Sequence, residues 1–154
     1  MQATTAASQV KDFIPMSKLW IALSLLFLVF TGCKDTGINP YIPDVPVNIQ
    51  INVSSLQYPE LRQDGGYVYL EGGYKGILLV RQNANLYTAF ERACPYDPTA
   101  PCSQVEVDQS NLFIVDTCCG SQFNFQGNVM AGPATYGLKQ YQTTMSGSIL
   151  YILN

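Results

Sequence analysis

The segment Asp116-Thr117-Cys118-Cys119-Gly120-Ser121-Gln122-Phe123 sets two adjacent cysteines against a Gly-Ser pair, and upstream of it stands Ala93-Cys94-Pro95-Tyr96-Asp97-Pro98. Both segments are built from residues that interrupt regular structure. Proline fixes φ, and glycine takes positive φ at little cost, so each reads as a loop. With Cys102, they hold the four cysteines of the carboxy-terminal region.

On either side of these loops, short runs of β-branched, aromatic and aliphatic residues alternate with turn residues. Strands are expected near Val47 to Val53, Tyr67 to Glu71, Ile77 to Arg81, Leu86 to Glu91, Val105 to Asp108, Leu112 to Val115, Gln122 to Asn124 and Ser148 to Leu153. The separators Asp64-Gly65-Gly66, Gly72-Gly73, Asn83 to Asn85, Gln126-Gly127-Asn128 and Met145-Ser146-Gly147 carry turn chemistry. Helix signals are nearly absent, apart from a brief helical turn expected within Ser55 to Arg62. The fold class is all-β, a small antiparallel barrel or sandwich.

Composition excludes several functions. The net charge is −3, and the eight basic residues are scattered, so there is no electrostatic footprint for nucleic acid. The chain has no histidine, which removes Ser/His/Asp and Cys/His catalysis and every metal site that needs imidazole. Asp64, Glu71, Asp97, Asp108 and Asp116 form no acid/base pair in sequence, and no catalytic constellation is found. Tyr67, Tyr69, Tyr74 and Tyr87 read as core or cross-strand aromatics rather than as a binding face.

The second cysteine loop continues through Gly127 and Val129 to Gly132-Pro133-Ala134, then Leu138, Tyr141 and a last strand ending Ile149-Leu150-Tyr151-Ile152. This course, from about residue 47 to 154, resembles the Rieske domain. In that family a Cys-x-His loop and a Cys-x-x-His-Gly-Ser loop hold a 2Fe–2S cluster, and a Gly-Pro-Ala turn closes over it. The resemblance puts Cys94 at the first cysteine ligand, Tyr96 at the first histidine, Asp116 at the second cysteine and Cys119 at the second histidine. One iron of a Rieske centre needs two thiolates and the other two imidazoles, so an ordinary centre is not expected here. Tyrosine and aspartate are hard oxygen donors, poorly matched to that site.

Four cysteines alone allow three pairings. Some family members carry one extra cysteine in each loop, joined as a disulfide, and this implies a Cys102–Cys118 bridge. The resemblance also implies that Cys94 and Cys119 lie on opposite loops around the cluster space. If their Cα atoms approach to about 5.5 Å they form a second bridge, which contributes roughly 2 to 4 kcal/mol.

Two functional readings follow. In the first, the domain is a cluster-free scaffold or binding module, with Tyr96 a packed aromatic, Asp116 a solvated or capping loop residue, and Gly132-Pro133-Ala134 a packing turn. In the second, it is an electron carrier whose 2Fe–2S cluster is held by Cys94 and Cys119, with Cys102 and Cys118 next and Ser121 hydrogen-bonded to it. Adjacent Cys118 and Cys119 point apart in most conformations, so the second reading requires a bent loop. Thiol redox chemistry ranks below both, because Asp97 and Asp116 oppose thiolate formation and only Arg92 favours it. The paired Cys-x-x-Cys knuckles of a four-cysteine zinc site are missing.

The amino-terminal region sets the compartment. From Met16-Ser17-Lys18 the chain is apolar from Leu19 to Phe30, broken only by Ser24, and ends Thr31-Gly32-Cys33. A positive flank, a short apolar core and small residues before the cut make a secretory signal, too short to span a bilayer. Phe30-Thr31-Gly32-Cys33 resembles the bacterial lipobox, which implies diacylglycerol on Cys33. Residues 1–32 are therefore expected as a signal peptide, with Met16 the better start, 33–46 as a lipidated tether, and 47–154 as the β domain. The implied partners are a membrane, through the lipid, and a redox or envelope protein. An oxidising exterior also permits disulfides.

Overall fold

The computed structural model describes residues 42–154; the expected signal peptide, Cys33 and the first part of the tether lie outside the described residues. The described part is all-β, as expected. Its strands are β1 (Asn48–Asn52), β2 (Tyr67–Leu70), β3 (Ile77–Asn83), β4 (Leu86–Glu91), β5 (Glu106–Val107), β6 (Ile114–Val115), β7 (Gln122–Phe123), β8 (Val129–Ala131), β9 (Gln140–Ser146) and β10 (Ile149–Leu153). A 3-10 turn over Pro59–Arg62 fills the brief helical segment foreseen ahead of Gly65-Gly66.

All neighbouring strands run antiparallel. Six make one sheet in the order β1-β10-β9-β4-β3-β2, and four make a smaller sheet in the order β5-β6-β7-β8. The β4–β9 junction is narrow, pairing only Ala89 with Tyr141 and Phe90 with Gln140.

The β3–β4 hairpin is apolar on both faces, because it packs against a core on each side. Side chains alternate across a strand, so Ile77 and Leu79 enter one core while Leu78 and Val80 enter the other. The first core gathers Val47, Ile51, Leu61, Tyr87, Tyr141, Leu150 and Ile152 inside the large sheet. The second joins Phe90, Cys94, Val105, Ile114, Phe123, Ala134 and Leu138 beneath the cysteine loops. An unbroken Ile-Leu-Leu-Val run is what a strand walled on both sides requires.

Two strands depart from expectation. β9 reads Gln-Tyr-Gln-Thr-Thr-Met-Ser and was not anticipated, because only Tyr141 among its residues is buried. It forms because it is paired on both edges, with β10 along its length and with β4 at its start. β8 is a short strand at the border of the small sheet, carrying mainly exposed side chains. Conversely, Leu112 was expected in a strand and lies exposed in the turn before β6.

Candidate functional site

The first cysteine loop leaves β4 at Glu91, and its base is closed by main-chain hydrogen bonds. Arg92 N donates to Gly76 O at 2.9 Å and Val105 N to Arg92 O at 2.7 Å. Lys75 Nζ reaches under the loop to the carbonyls of Ala100 and Ser103. Glu91 is itself fully buried. Its carboxylate accepts the amides of Tyr74 (2.7 Å), Lys75 (2.8 Å) and Ala93 (3.0 Å) and the hydroxyl of Tyr141 (2.6 Å). A buried charge with four donors is well satisfied, and it fixes where the chain turns toward Cys94. Nothing in the sequence around Glu91, a glutamate at a strand end, announces this burial.

The second loop is the β6–β7 connection. Asp116 N donates to Ser121 O at 2.9 Å and Gly120 N to Asp116 O at 2.7 Å, with Gly120 at φ +77°. Asp116 Oδ1 accepts Cys118 N at 2.8 Å, an Asx-type closure of the turn. The Gly132-Pro133-Ala134 turn packs onto this loop, where Ala134 N donates to Ser121 Oγ at 3.1 Å. A Cβ on Gly132 would lie 2.5 Å from Ser121 Cα, so this approach requires glycine.

The adjacent cysteines diverge. Cys118 is disulfide-bonded to Cys102, with Cα atoms 5.5 Å apart, and that bond ties the two loops together. Cys119 turns the other way, and its Sγ lies 3.6 Å from Cys94 Sγ, both as free thiols. It also stands 3.4 Å from Asp116 Oδ2 and 3.0 Å from Ser121 Oγ. The Cys94, Cys119 and Asp116 ligand atoms all fall within 4.8 Å of one another.

Burial pushes the Cys94 thiol up, and the Asp116 carboxylate and Cys119 push in the same direction; the Tyr96 backbone N–H opposes them. The thiol therefore stays protonated at neutral pH. Arg92, the one cation expected to favour thiolate, is engaged elsewhere: its guanidinium sits 4.1 Å from the Tyr69 ring centroid and its Nε donates to Val105 O.

Of the two roles expected for Asp116, solvated or capping, the structure has the second: it is fully buried, its Oδ1 capping the turn through Cys118 N and its Oδ2 meeting the Cys119 thiol. Tyr96 is 56% exposed rather than packed, since it follows Cys94-Pro95 out of the second core toward solvent.

The residues present do not fit a 2Fe–2S cluster. Of the four Rieske ligand positions, the one held by Tyr96 points its side chain outward. Those held by Cys94 and Cys119, which would serve different irons, are in direct sulfur–sulfur contact. Cys102 and Cys118 are spent on each other.

No family model matches the chain, and no curated protein matches it. Among solved structures it is similar to the crystal structure of the cyanobacterial plasma membrane Rieske protein PetC3 from Synechocystis PCC 6803. The TM-score is 0.51 and the identity 24%, over 66% of this chain and 97% of that one. The likeness shows the fold: residues of this chain form a Rieske-like domain.

Proposed function

We propose that this Rieske-like domain works without a 2Fe–2S cluster, as a lipid-anchored binding module outside the cytoplasm. The observation that carries the reading is the contact between Cys94 Sγ and Cys119 Sγ at 3.6 Å, beside a disulfide that removes the other two cysteines. Between the loops the two thiols stand in contact, and covalent and hydrogen-bonded ties hold the loops where a cluster would. Tyr96 and Tyr136, each two residues from a site residue (Cys94 and Ala134), are exposed and supply aromatic surface for an envelope protein partner. The lipid on Cys33 and the tether after it keep the domain near the membrane.

Iron and acid-labile sulfide measured on the full chain, purified anaerobically from cells supplied with iron, test this reading. We expect neither. About two of each per chain would establish instead a thiolate-rich electron carrier.

A further inference from the structure

Three ligand-type atoms converge beneath the loops, from two cysteines on different loops and one buried aspartate. We propose that Cys94, Cys119 and Asp116 form a mononuclear site for a closed-shell divalent cation of the zinc class, with one coordination position left open. The inference rests on the cluster-free reading above and goes beyond it.

The geometry fits one ion and not two. A tetrahedral ion with metal–sulfur bonds of about 2.3 Å and a metal–oxygen bond of about 2.0 Å has ligand edges of about 3.75 Å (S–S) and 3.5 Å (S–O). The observed separations are 3.6 Å between the sulfurs and 3.4 Å between Cys119 Sγ and Asp116 Oδ2. Two of the three ligand edges therefore already match a tetrahedral ion, and the third, Cys94 Sγ to the Asp116 carboxylate, is no longer than 4.8 Å. Thiolate with carboxylate is also a donor set that zinc accepts.

Charge points the same way. Asp116 is fully buried, and neither of the two ion pairs among the described residues, Arg81–Asp64 and Lys139–Asp44, involves it. Glu91, equally buried, is satisfied by three amides and a hydroxyl. The Asp116 carboxylate meets one amide and one thiol, and a buried carboxylate with so few donors is suited to a cation or a metal. The surrounding bonds would hold the ligands in place: Cys118 N donates to Asp116 Oδ1 and leaves Oδ2 facing only the Cys119 thiol, whose proton a metal would displace, and Ser121 Oγ, fixed by Ala134 N, stands 3.0 Å from Cys119 Sγ. Outer contacts of this kind orient metal ligands. Binding exchanges two S–H bonds for two metal–sulfur bonds and releases two protons to solvent; no electron is transferred. Cys94 is sealed in the second core while Cys119 is half-buried, so the open position faces the Cys119 side, where water or an external ligand has access.

The test uses the full chain, purified anaerobically with Cys102–Cys118 intact and titrated with Co²⁺ as the spectroscopic probe, then with Zn²⁺ as competitor. We expect one Co²⁺ per chain, thiolate-to-cobalt charge transfer in the near ultraviolet, tetrahedral ligand-field bands, and displacement by one equivalent of Zn²⁺. Loss of an outer-shell partner costs roughly 10- to 100-fold, so loss of a direct ligand should cost more: Cys119→Ser should weaken binding by more than roughly 100-fold, and Asp116→Asn by at least roughly 100-fold with thiolate charge transfer retained in what binding remains. The half-buried Cys119 is chosen because its serine variant keeps the fold; far-ultraviolet circular dichroism checks this. Absence of tetrahedral cobalt at micromolar concentration, binding unchanged in Cys119→Ser, or recovery of Cys94 and Cys119 as a disulfide from the cell envelope would each overturn the proposal. Those results leave the cluster-free reading intact, whereas iron with sulfide at about two per chain removes both.

Discussion

Tyr141 donates its hydroxyl to Glu91 Oε2 at 2.6 Å across the buried junction of β4 and β9. The two residues are fifty positions apart in sequence and adjacent to the one place where the two halves of the large sheet pair. A hydrogen bond to a buried charge contributes about 1.5–3 kcal/mol, so Tyr141→Phe should destabilise by about that amount and Glu91→Gln by a similar one. The double variant should lose less than the two added together, because they remove one shared interaction. Urea unfolding of the four proteins measures the coupling, and strict additivity would show that Glu91 acts only through the amides of Tyr74, Lys75 and Ala93.

The Cys102–Cys118 bond closes a loop with a sequence separation of 16. Chain-entropy reasoning assigns about 3 kcal/mol to such a closure. The Cys102→Ala/Cys118→Ala variant should unfold at correspondingly lower denaturant with an unchanged cooperative transition. A non-reducing peptide map supplies the connectivity, and finding both residues as free thiols would remove the basis of this estimate.

Alkaline pH should destabilise the reduced, metal-free domain. Burial raises the Cys94 thiol, with Asp116 adding to it, and burial followed by the Glu91 hydrogen bond raises the Tyr141 phenol. Both groups keep their protons longer in the folded chain than in the unfolded one. Above about pH 8.5, the unfolded cysteine value, the unfolded state binds fewer protons and stability falls as pH rises. The contribution is fully present below that pH and lost progressively above it. Denaturation midpoints from pH 7 to 10.5 should decline, and Cys94→Ala should flatten the first part of the decline; a midpoint that rises over this range contradicts the assignment.

Gly132 sits at φ +95° with no room for a side chain against Ser121. Gly132→Ala should cost more than about 1 kcal/mol and push the second loop outward. Alkylation of Cys119 should then become faster than in the parent, while a rate identical to the parent would mean the turn does not position that loop.

Lipidation is expected at Cys33. Metabolic labelling with a radioactive fatty acid should mark the full chain and fail with Cys33→Ser, which should also leave the membrane fraction. Labelling that persists in Cys33→Ser would point to acylation elsewhere.

Much of the fold was legible because its strands announce themselves by alternation and its turns by glycine and asparagine. The Cys102–Cys118 pairing came from the resemblance of the two loops and not from counting cysteines. What stayed hidden depended on tertiary surroundings. β9 is a polar-looking strand made regular by neighbours on both edges, and its Thr143 hydroxyl donates to Tyr87 O at 2.8 Å. A capping role for Asp116 was legible in its loop, but its burial was not: the fold supplies an amide donor and sets a thiol against it. The inward contact of Cys94 with Cys119 depends on how far the loops close, which no local pattern encodes.

The β3–β4 hairpin separates two cores with no buried residue in common, its own side chains being divided between them. Substitutions in the loop-side core are felt first by Cys94, Phe123, Ala134 and their neighbours, while Ile51, Leu150 and Ile152 remain packed on the far side of the wall. Residues under the loops can therefore be exchanged one at a time while the larger core stays packed and the barrel stays intact.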